Sequence, residues 1–265
     1  MKTCEETRRT ETATASACHA VLKEHIANPW RWPRESDVVG SLVNKIHDLL
    51  ADEMYAKPCV SRTVLEGSRI PRVRTEVRIK GESWKIDVCL QTQGTNNVFF
   101  GRGGPRDVLL TVSPSQIEEI VEVKLNPGLL YTGWIDDLIK LHNIRGKICE
   151  DKQHKLKSLH ALFIDTSLPL CSLCKSAERK SGPSKAKGVP LWPLEVVGES
   201  EPIYFEYPRP DQTWQITLRN RTEPESKSGP HIYLWVIGSK PGATPTHEPA
   251  CWKVEIAKKT DAKRP

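Results

Sequence analysis

Three charged residues interrupt two apolar segments that otherwise show the alternation typical of β-strands. Asp87 lies in "SWKIDVCLQTQ", and Glu122 and Lys124 lie in "IEEIVEVKL". Successive side chains of a strand point to opposite faces, so Glu122 and Lys124 share one face while Val121 and Val123 share the other. If the two strands are neighbours, Asp87 converges with Glu122 and Lys124 on one face of a sheet.

Such a group of side chains suits phosphate chemistry. Two carboxylates a few ångströms apart repel each other, and one pKa rises unless a cation neutralises them. Mg²⁺ fits this need, since it binds few protein carboxylates and keeps positions for water and phosphate oxygens. A lysine beside the ion can orient the attacking water and stabilise charge on phosphorus. The pattern therefore favours a phosphodiester hydrolase over the alternative, a half-exposed sheet whose polar face only meets solvent.

The elements that must position these residues are predicted from periodicity and turn residues. A helix is predicted from Pro33, which suits a first helical position, with apolar residues at helical spacing through Leu49 and Leu50. Strands follow at "RVRTEVRIK" and at the two segments above, then a helix over residues 130–157 and a strand at "LHALFIDTSL". This order predicts an α/β fold with a mixed central sheet flanked by helices.

The rest of the chain is divided by composition. Residues 1–20 are predicted to be disordered, residues 21–170 to form the core, and residues 171–190, rich in Lys, Ser, Gly and Pro, to form a mobile loop. Residues 191–257 hold four further strand patterns that complete or extend the core, and residues 258–265 are a basic tail. The insertion between the second and third strands contains an extra strand candidate, "DVLLTV".

The element order and the charged residues resemble the core of the PD-(D/E)xK nuclease superfamily, the restriction-endonuclease-like fold. The resemblance covers residues 33–168, roughly half of the chain. It implies that Asp87 and Glu122 hold the metal, that the Val123 carbonyl is a third metal contact, and that Lys124 is the catalytic lysine.

Many members of the superfamily add a glutamate from the first helix, which acts in catalysis by completing the metal site or adding a second one. Glu35 is the candidate here, because it lies 4, 7 and 11 residues before Val39, Leu42 and Ile46 and therefore faces the sheet. Glu53 is the reserve candidate on the same face. The chain departs from the family pattern in the long gap before Glu122, and its second helix lacks the Gln-x-x-x-Tyr pairing of exonuclease-like members, which favours an endonuclease.

The resemblance implies a Mg²⁺-dependent endonuclease that hydrolyses DNA phosphodiester bonds, of the restriction, defence, transposition or repair type, with Mn²⁺ as a substitute cofactor. Two alternatives stay open: a non-catalytic nucleic-acid-binding or assembly protein on the same fold, and a member that cleaves RNA. A homodimer and a partner protein are both compatible with the sequence.

Basic residues predict where a nucleic acid would lie. The net charge is +6, and ten Lys and Arg between residues 145 and 187 face only four acids. A surface of this kind suits a phosphate backbone, whereas the alternative is a solvated helix followed by a flexible loop. The residues expected to contact nucleic acid are two arginines in and after "GRGGP" and the basic residues of the second helix and its end: Arg102, Arg106, Arg145, Lys147, Lys152, Lys155 and Lys157.

The cysteines and the apolar runs indicate the compartment. Eight scattered cysteines favour free thiols in a reducing cytosol, and Cys171-x-x-Cys174 has the spacing of only half a zinc site, so structural zinc is not favoured. No apolar run approaches the roughly 18–20 residues needed to cross a bilayer, and the N-terminus lacks a secretory h-region. We therefore expect a cytoplasmic protein with no membrane partner.

Three further groups of residues receive structural interpretations. Asp136 and Asp137 are expected at the surface, and the histidines of the second helix and following strand are expected to be surface or satisfied residues. Most tryptophans are expected to pack in the core or at sheet edges, with stacking on bases as the alternative.

Overall fold

A computed structural model describes residues 12–29, 31–56, 70–92, 111–125, 133–164, 202–220, 229–240 and 246–259. These residues contain three α-helices: α1 (Ala13–Ala27), α2 (Glu35–Leu50) and α3 (Gly133–Cys149). The strands are β1 (Tyr55–Ala56), β2 (Ile70–Pro71), β3 (Val73–Ile79), β4 (Lys85–Gln91), β5 (Thr111–Val112), β6 (Ile117–Leu125), β7 (Ser158–Ile164), β8 (Ile203–Pro208), β9 (Thr213–Asn220), β10 (His231–Lys240) and β11 (Thr246–Lys258). None of the helices in these ranges is long and apolar enough to cross a membrane.

One nine-stranded sheet runs through the described part of the chain, in the order β5-β3-β4-β6-β7-β10-β11-β9-β8, and β1 and β2 form a separate pair. The sheet is mixed. β6 and β10 both run parallel to β7, and β5 runs parallel to β3, whereas the other neighbours are antiparallel. The predicted α/β class with a mixed central sheet is therefore confirmed, and the four C-terminal strands extend the same sheet.

Helices cover both faces of the sheet, and the alternation within β6 decides which side chains meet which helix. Val121 and Val123 are buried in the same apolar cluster as α1 and α2. Ile120 is buried on the opposite face, in the cluster that contains α3. The even-numbered side chains of β6 thus face α3, as the period of two predicts. Glu122 and Lys124 belong to that series.

Several predicted boundaries need correction. The predicted disorder of residues 1–20 is wrong for residues 13–20, which belong to α1; residues 1–11 lie outside the described ranges. The helix predicted from Pro33 is α2, which begins at Glu35. Val38 occupies its buried face, whereas Leu49 is 52% exposed. The helix predicted over residues 130–157 corresponds to α3. It ends at Cys149, well before residue 157, because a turn at residues 150–153 leads toward β7.

Other predictions fall partly outside the described ranges. β5 is the short part of "DVLLTV" that the structure describes. The loop 171–190, Cys171 and Cys174, and the tail beyond residue 259 all lie outside these ranges. Core packing is confirmed for the tryptophans that are buried: Trp32, Trp134, Trp214, Trp235 and Trp252.

Candidate metal and catalytic site at the end of β6

The candidate site begins where two neighbouring strands separate. β4 pairs with β6 as far as Val88 opposite Val121, whereas β7 follows β6 through Leu125. Beyond Val121, the edge of β6 that faced β4 therefore has no strand partner in the described part of the chain. Its N–H groups at Val123 and Leu125 must find other acceptors, because an unpaired backbone donor away from water is costly.

Two carboxylates supply those acceptors. Asp87 Oδ2 accepts a hydrogen bond from the Val123 N–H at 2.8 Å, and Glu35 Oε2 accepts one from the Leu125 N–H at 3.3 Å. Asp87 comes from β4 just where that strand leaves β6, and Glu35 is the first residue of α2. The structure thus brings both acids to the same end of β6 as Glu122 and Lys124.

Glu53, the reserve candidate for the helix acid, lies elsewhere. Its side chain is 66% exposed, and its carboxylate is 3.5 Å from the Arg72 guanidinium. Arg72 also donates to Glu118 at 2.8 Å, near the beginning of β6 and far along the strand from Lys124. Glu35 is therefore the helix acid that the structure places with Asp87.

Glu122 is the most buried member of the group, with 2% of the residue exposed. Its Oε1 accepts a hydrogen bond from the Lys140 Nζ at 2.6 Å and lies 3.9 Å from the Lys124 Nζ. The other oxygen, Oε2, is buried without a hydrogen-bond partner among the described residues. A carboxylate with one orphan oxygen beside a second carboxylate is a position where a cation would be stabilised.

Burial and neighbouring charges determine the protonation of the group. Burial, and then the charge of Asp87, raise the pKa of Glu122 to about 7, while Lys140 and Lys124 oppose the rise. Burial lowers the pKa of Lys124, but the surrounding carboxylates, Asp137 first, outweigh burial and raise this pKa above its usual value. Lys124 is accordingly a cation at neutral pH, whereas Glu122 takes up a proton more readily than an ordinary carboxyl group.

Two members of the site were not predicted from the sequence. Lys140 and Asp137 lie in the first two turns of α3, three residues apart and thus on one helix face. Burial raises the pKa of Asp137, while Lys124 and Lys140 lower it. Asp137 is thus half-buried beside two lysines rather than fully at the surface, whereas Asp136 pairs with Arg209. The sequence does contain a signal for these two residues. An acid is followed three positions later by a lysine, in the helix that comes directly after the Glu-x-Lys strand. We call the six charged residues the Glu122 cluster: Glu35, Asp87, Glu122, Lys124, Asp137 and Lys140.

The predicted nucleic-acid contacts do not surround this cluster. Lys147 is in the last turn of α3 and lies 3.0 Å from Glu150 and 3.8 Å from Glu82, while Lys157 pairs with Glu118 at the start of β6. Lys157 therefore lies at the opposite end of β6 from Lys124, whereas Lys152 and Lys155 are exposed in the segment between α3 and β7. Arg145 is half-buried, and Arg102 and Arg106 are outside the described ranges.

The donor set fits a single divalent ion held by two carboxylates. Asp87 and Glu122 offer oxygen atoms, including the orphan Glu122 Oε2, and Mg²⁺ commonly uses only one or two carboxylates with several waters. Within the described ranges, no three His, Cys, Asp or Glu side chains are grouped so that they could hold a metal ion together. Lys140 donates to the other oxygen, Oε1, so an ion on Oε2 would share the Glu122 carboxylate with this lysine.

Comparisons of the chain with family models, with curated proteins and with solved structures give no match. The site must therefore be interpreted from its own geometry.

Proposed function

We propose that the protein is a Mg²⁺-dependent endonuclease with a restriction-endonuclease-like core, and that it hydrolyses DNA phosphodiester bonds at the Glu122 cluster. The observation that carries the proposal is the convergence of Asp87, Glu122 and Lys124, from two strands, at a point where β6 has lost its neighbour. The core from α2 to β7 has the element order of that superfamily.

Each residue has a role that follows from its position. Asp87 and Glu122 would hold the metal, which supplies charge neutralisation and a more acidic water when bound. N–H and C=O groups of one strand residue point to the same neighbour, so the Val123 carbonyl faces the gap in which Asp87 lies. Lys124, a cation at neutral pH, would orient water and stabilise negative charge on the phosphate rather than remove a proton. Glu35 orients the end of β6.

The same contacts allow a structural explanation of the acids. Asp87 and Glu35 could act only as substitutes for missing strand partners. The variant Asp87→Asn separates these roles, because its amide oxygen still accepts from the Val123 N–H while the negative charge is lost. A purely structural role leaves activity unchanged, whereas a metal ligand loses it.

The decisive experiment is cleavage of supercoiled plasmid by the full chain with Mg²⁺ or with EDTA. We expect nicking or linearisation that requires the metal and falls by roughly 100-fold or more in Asp87→Asn and in Lys124→Met. Asp48→Asn, an exposed acid on the outer face of α2, is the matched control and should cleave like the wild type. Cleavage that survives both site substitutions would refute the assignment. A parallel assay with RNA tests the substrate.

One contact favours a second candidate function, a nucleic-acid-binding or assembly protein that does not cleave. The 2.6 Å hydrogen bond from Lys140 to Glu122 Oε1 already places a cation beside this carboxylate, where a metal ion would otherwise balance its charge. Under this alternative, plasmid stays intact with every divalent metal although DNA is retarded on a gel. Metal-dependent cleavage abolished by Asp87→Asn excludes it.

A further inference from the structure

A pair of basic side chains meets around one buried tryptophan on the other flank of α3. Lys258, at the end of β11, is the strand partner of Trp214 on β9, and its Nζ lies 5.4 Å from the centre of a Trp214 ring. His142 of α3 contacts the same tryptophan edge-on at 5.6 Å. Arg145, one turn further along α3, donates from Nη2 to His142 Nδ1 at 3.1 Å. We call these four residues the Trp214 site.

No carboxylate neutralises the two cations within the described part of the chain. Neighbouring basic residues do have acidic partners: Arg209 pairs with Asp136, and Lys259 lies 2.8 Å from Glu206. Neither Arg145 nor Lys258 forms an ion pair with a described acid. Three separate elements, α3, β9 and β11, thus bring two positive charges together without an anion.

The histidine does not relieve this accumulation of charge. Arginine only donates, so His142 Nδ1 accepts, and the imidazole is neutral with its proton on Nε2. Burial, followed by the charges of Arg145 and Lys258, lowers the pKa of His142 to about 4. Burial also lowers the pKa of Arg145, which shows that its guanidinium is partly removed from water. The site therefore carries two positive charges at neutral pH, held where an anion would be favourable.

We propose that the Trp214 site binds a phosphate group of a nucleic-acid backbone, with the Arg145 guanidinium as a planar donor and the Lys258 ammonium as a point charge. The inference rests on the proposed function for the choice of nucleic acid as the source of the phosphate. Arginine has five N–H donors, and His142 uses one, which leaves a fork free for phosphate oxygens. Lys258 is exposed, so the ligand has access from solvent.

The position also relates the Trp214 site to the Glu122 cluster. Lys140 and His142 are two residues apart and thus point away from each other across α3, one toward Glu122 and the other toward Trp214. Glu122 lies on β6 and Trp214 on β9, four strand spacings of about 4.8 Å apart, which is roughly 19 Å across the sheet. A duplex rises about 3.4 Å per base pair, so one DNA molecule is long enough to touch the Trp214 site and reach the proposed cleavage site with another phosphate.

The test is binding of a fluorescein-labelled DNA duplex to the full chain in EDTA, measured by fluorescence anisotropy at several KCl concentrations. We expect the double variant Arg145→Gln/Lys258→Gln to bind at least about tenfold more weakly at low salt, with a salt slope reduced by roughly one to two. The matched control is Lys23→Gln/Arg78→Gln, which removes the same charge from exposed positions on α1 and β3 and should lose much less affinity. Equal losses in both double variants, or no loss in the first, would overturn the proposal.

A second measurement guards against misfolding and identifies the ligand chemistry. Inorganic phosphate should raise the melting temperature of the wild type more than that of Arg145→Gln/Lys258→Gln, since a ligand stabilises the state it binds. Equal stabilisation of both proteins overturns the site. Failure of the nuclease assignment looks different: plasmid remains intact, yet duplex binding still depends on Arg145 and Lys258.

Discussion

Glu122 makes the candidate site sensitive to pH. Its pKa is raised to about 7 by burial and by Asp87, from an ordinary value of 4.5. The folded state therefore holds a proton that the unfolded state releases, and stability falls as the pH rises from about 4.5 to about 7. Glutamine does not titrate. We therefore predict that Glu122→Gln loses roughly 1–3 kcal/mol less unfolding free energy than the wild type over this pH range. Guanidinium unfolding of both proteins at pH 5 and pH 8 measures the difference.

The control for that prediction is another buried acid on the same strand. Burial raises the pKa of Glu119 to about 6, so Glu119→Gln should flatten the stability profile at lower pH and leave the decline near pH 7 in place. Identical profiles for wild type and Glu122→Gln would contradict the assigned burial of the Glu122 charge.

Lys140 should set the pH at which the site becomes active. Its hydrogen bond and its charge both lower the pKa of Glu122. In Lys140→Met both pKa-lowering interactions are lost, so the pKa of Glu122 rises further above its ordinary value. Because only the ionised carboxylate holds a metal, we predict that the acidic limb of the cleavage profile moves to higher pH, with activity partly restored at pH 8.5 to 9.

The measurement is plasmid cleavage at saturating Mg²⁺ from pH 6 to pH 9. Lys140→Arg retains a cation at the same position and is the conservative control, for which we expect a profile close to that of the wild type. A uniform loss of activity at every pH in Lys140→Met would assign the lysine to the reaction itself rather than to the ionisation of Glu122.

At the residue scale, the sequence predicts the members of the site that share a strand period but not those that depend on helix placement. Glu122 and Lys124 share a face through the two-residue repeat, and Asp87 follows from the same rule in β4. Lys140 and Asp137 require knowledge of how α3 lies over β6. That placement depends on tertiary packing, which periodicity within one element does not determine.

At the element scale, α1 is the main difference between expectation and structure. Its sequence, "ATASACHAVLKEHIA", is rich in small residues and has no strong apolar stripe, so composition suggests disorder. Ala17, Cys18, Val21 and Leu22 are nevertheless fully buried. Small side chains let a helix approach a sheet closely, and the Thr12 hydroxyl caps its first turn by accepting from the Ala15 N–H. α1 packs against α2 and against β10 and β11, so its buried side chains become apolar core once the sheet is formed.

The contribution of α1 is tested by truncating its most buried large side chain. Leu22→Ala should destabilise the protein by about 2–5 kcal/mol, because the cavity adds to the lost transfer free energy. Lys23→Ala changes an exposed neighbour on the same helix and should leave stability within about 0.5 kcal/mol. Chemical denaturation gives both values. A negligible effect of Leu22→Ala would mean that α1 does not pack on the sheet in solution.

At the scale of the whole molecule, one sheet joins the two halves of the chain. β10 pairs in parallel with β7 from Ser158 opposite His231 to Leu162 opposite Trp235. The Trp235 indole also donates to His160 Nδ1 at 3.0 Å across this junction, in a buried environment. Strand patterns in the sequence predict the four C-terminal strands individually, but a partner for β7 more than sixty residues away is beyond what local periodicity contains.

The junction implies that the part of the sheet formed by β3 to β7 does not fold without the C-terminal strands. In a fragment of residues 1–200, β7 would become an edge strand with exposed backbone groups, and the apolar side chains that pack against β10 and β11 would meet water. We predict that this fragment shows no cooperative unfolding, whereas residues 1–259 behave like the full chain. The full chain should give one transition that coincides in tryptophan fluorescence and far-UV circular dichroism. A cooperative transition in the 1–200 fragment would instead make the C-terminal strands a separable addition, and the Trp214 site would then belong to a unit distinct from the Glu122 cluster.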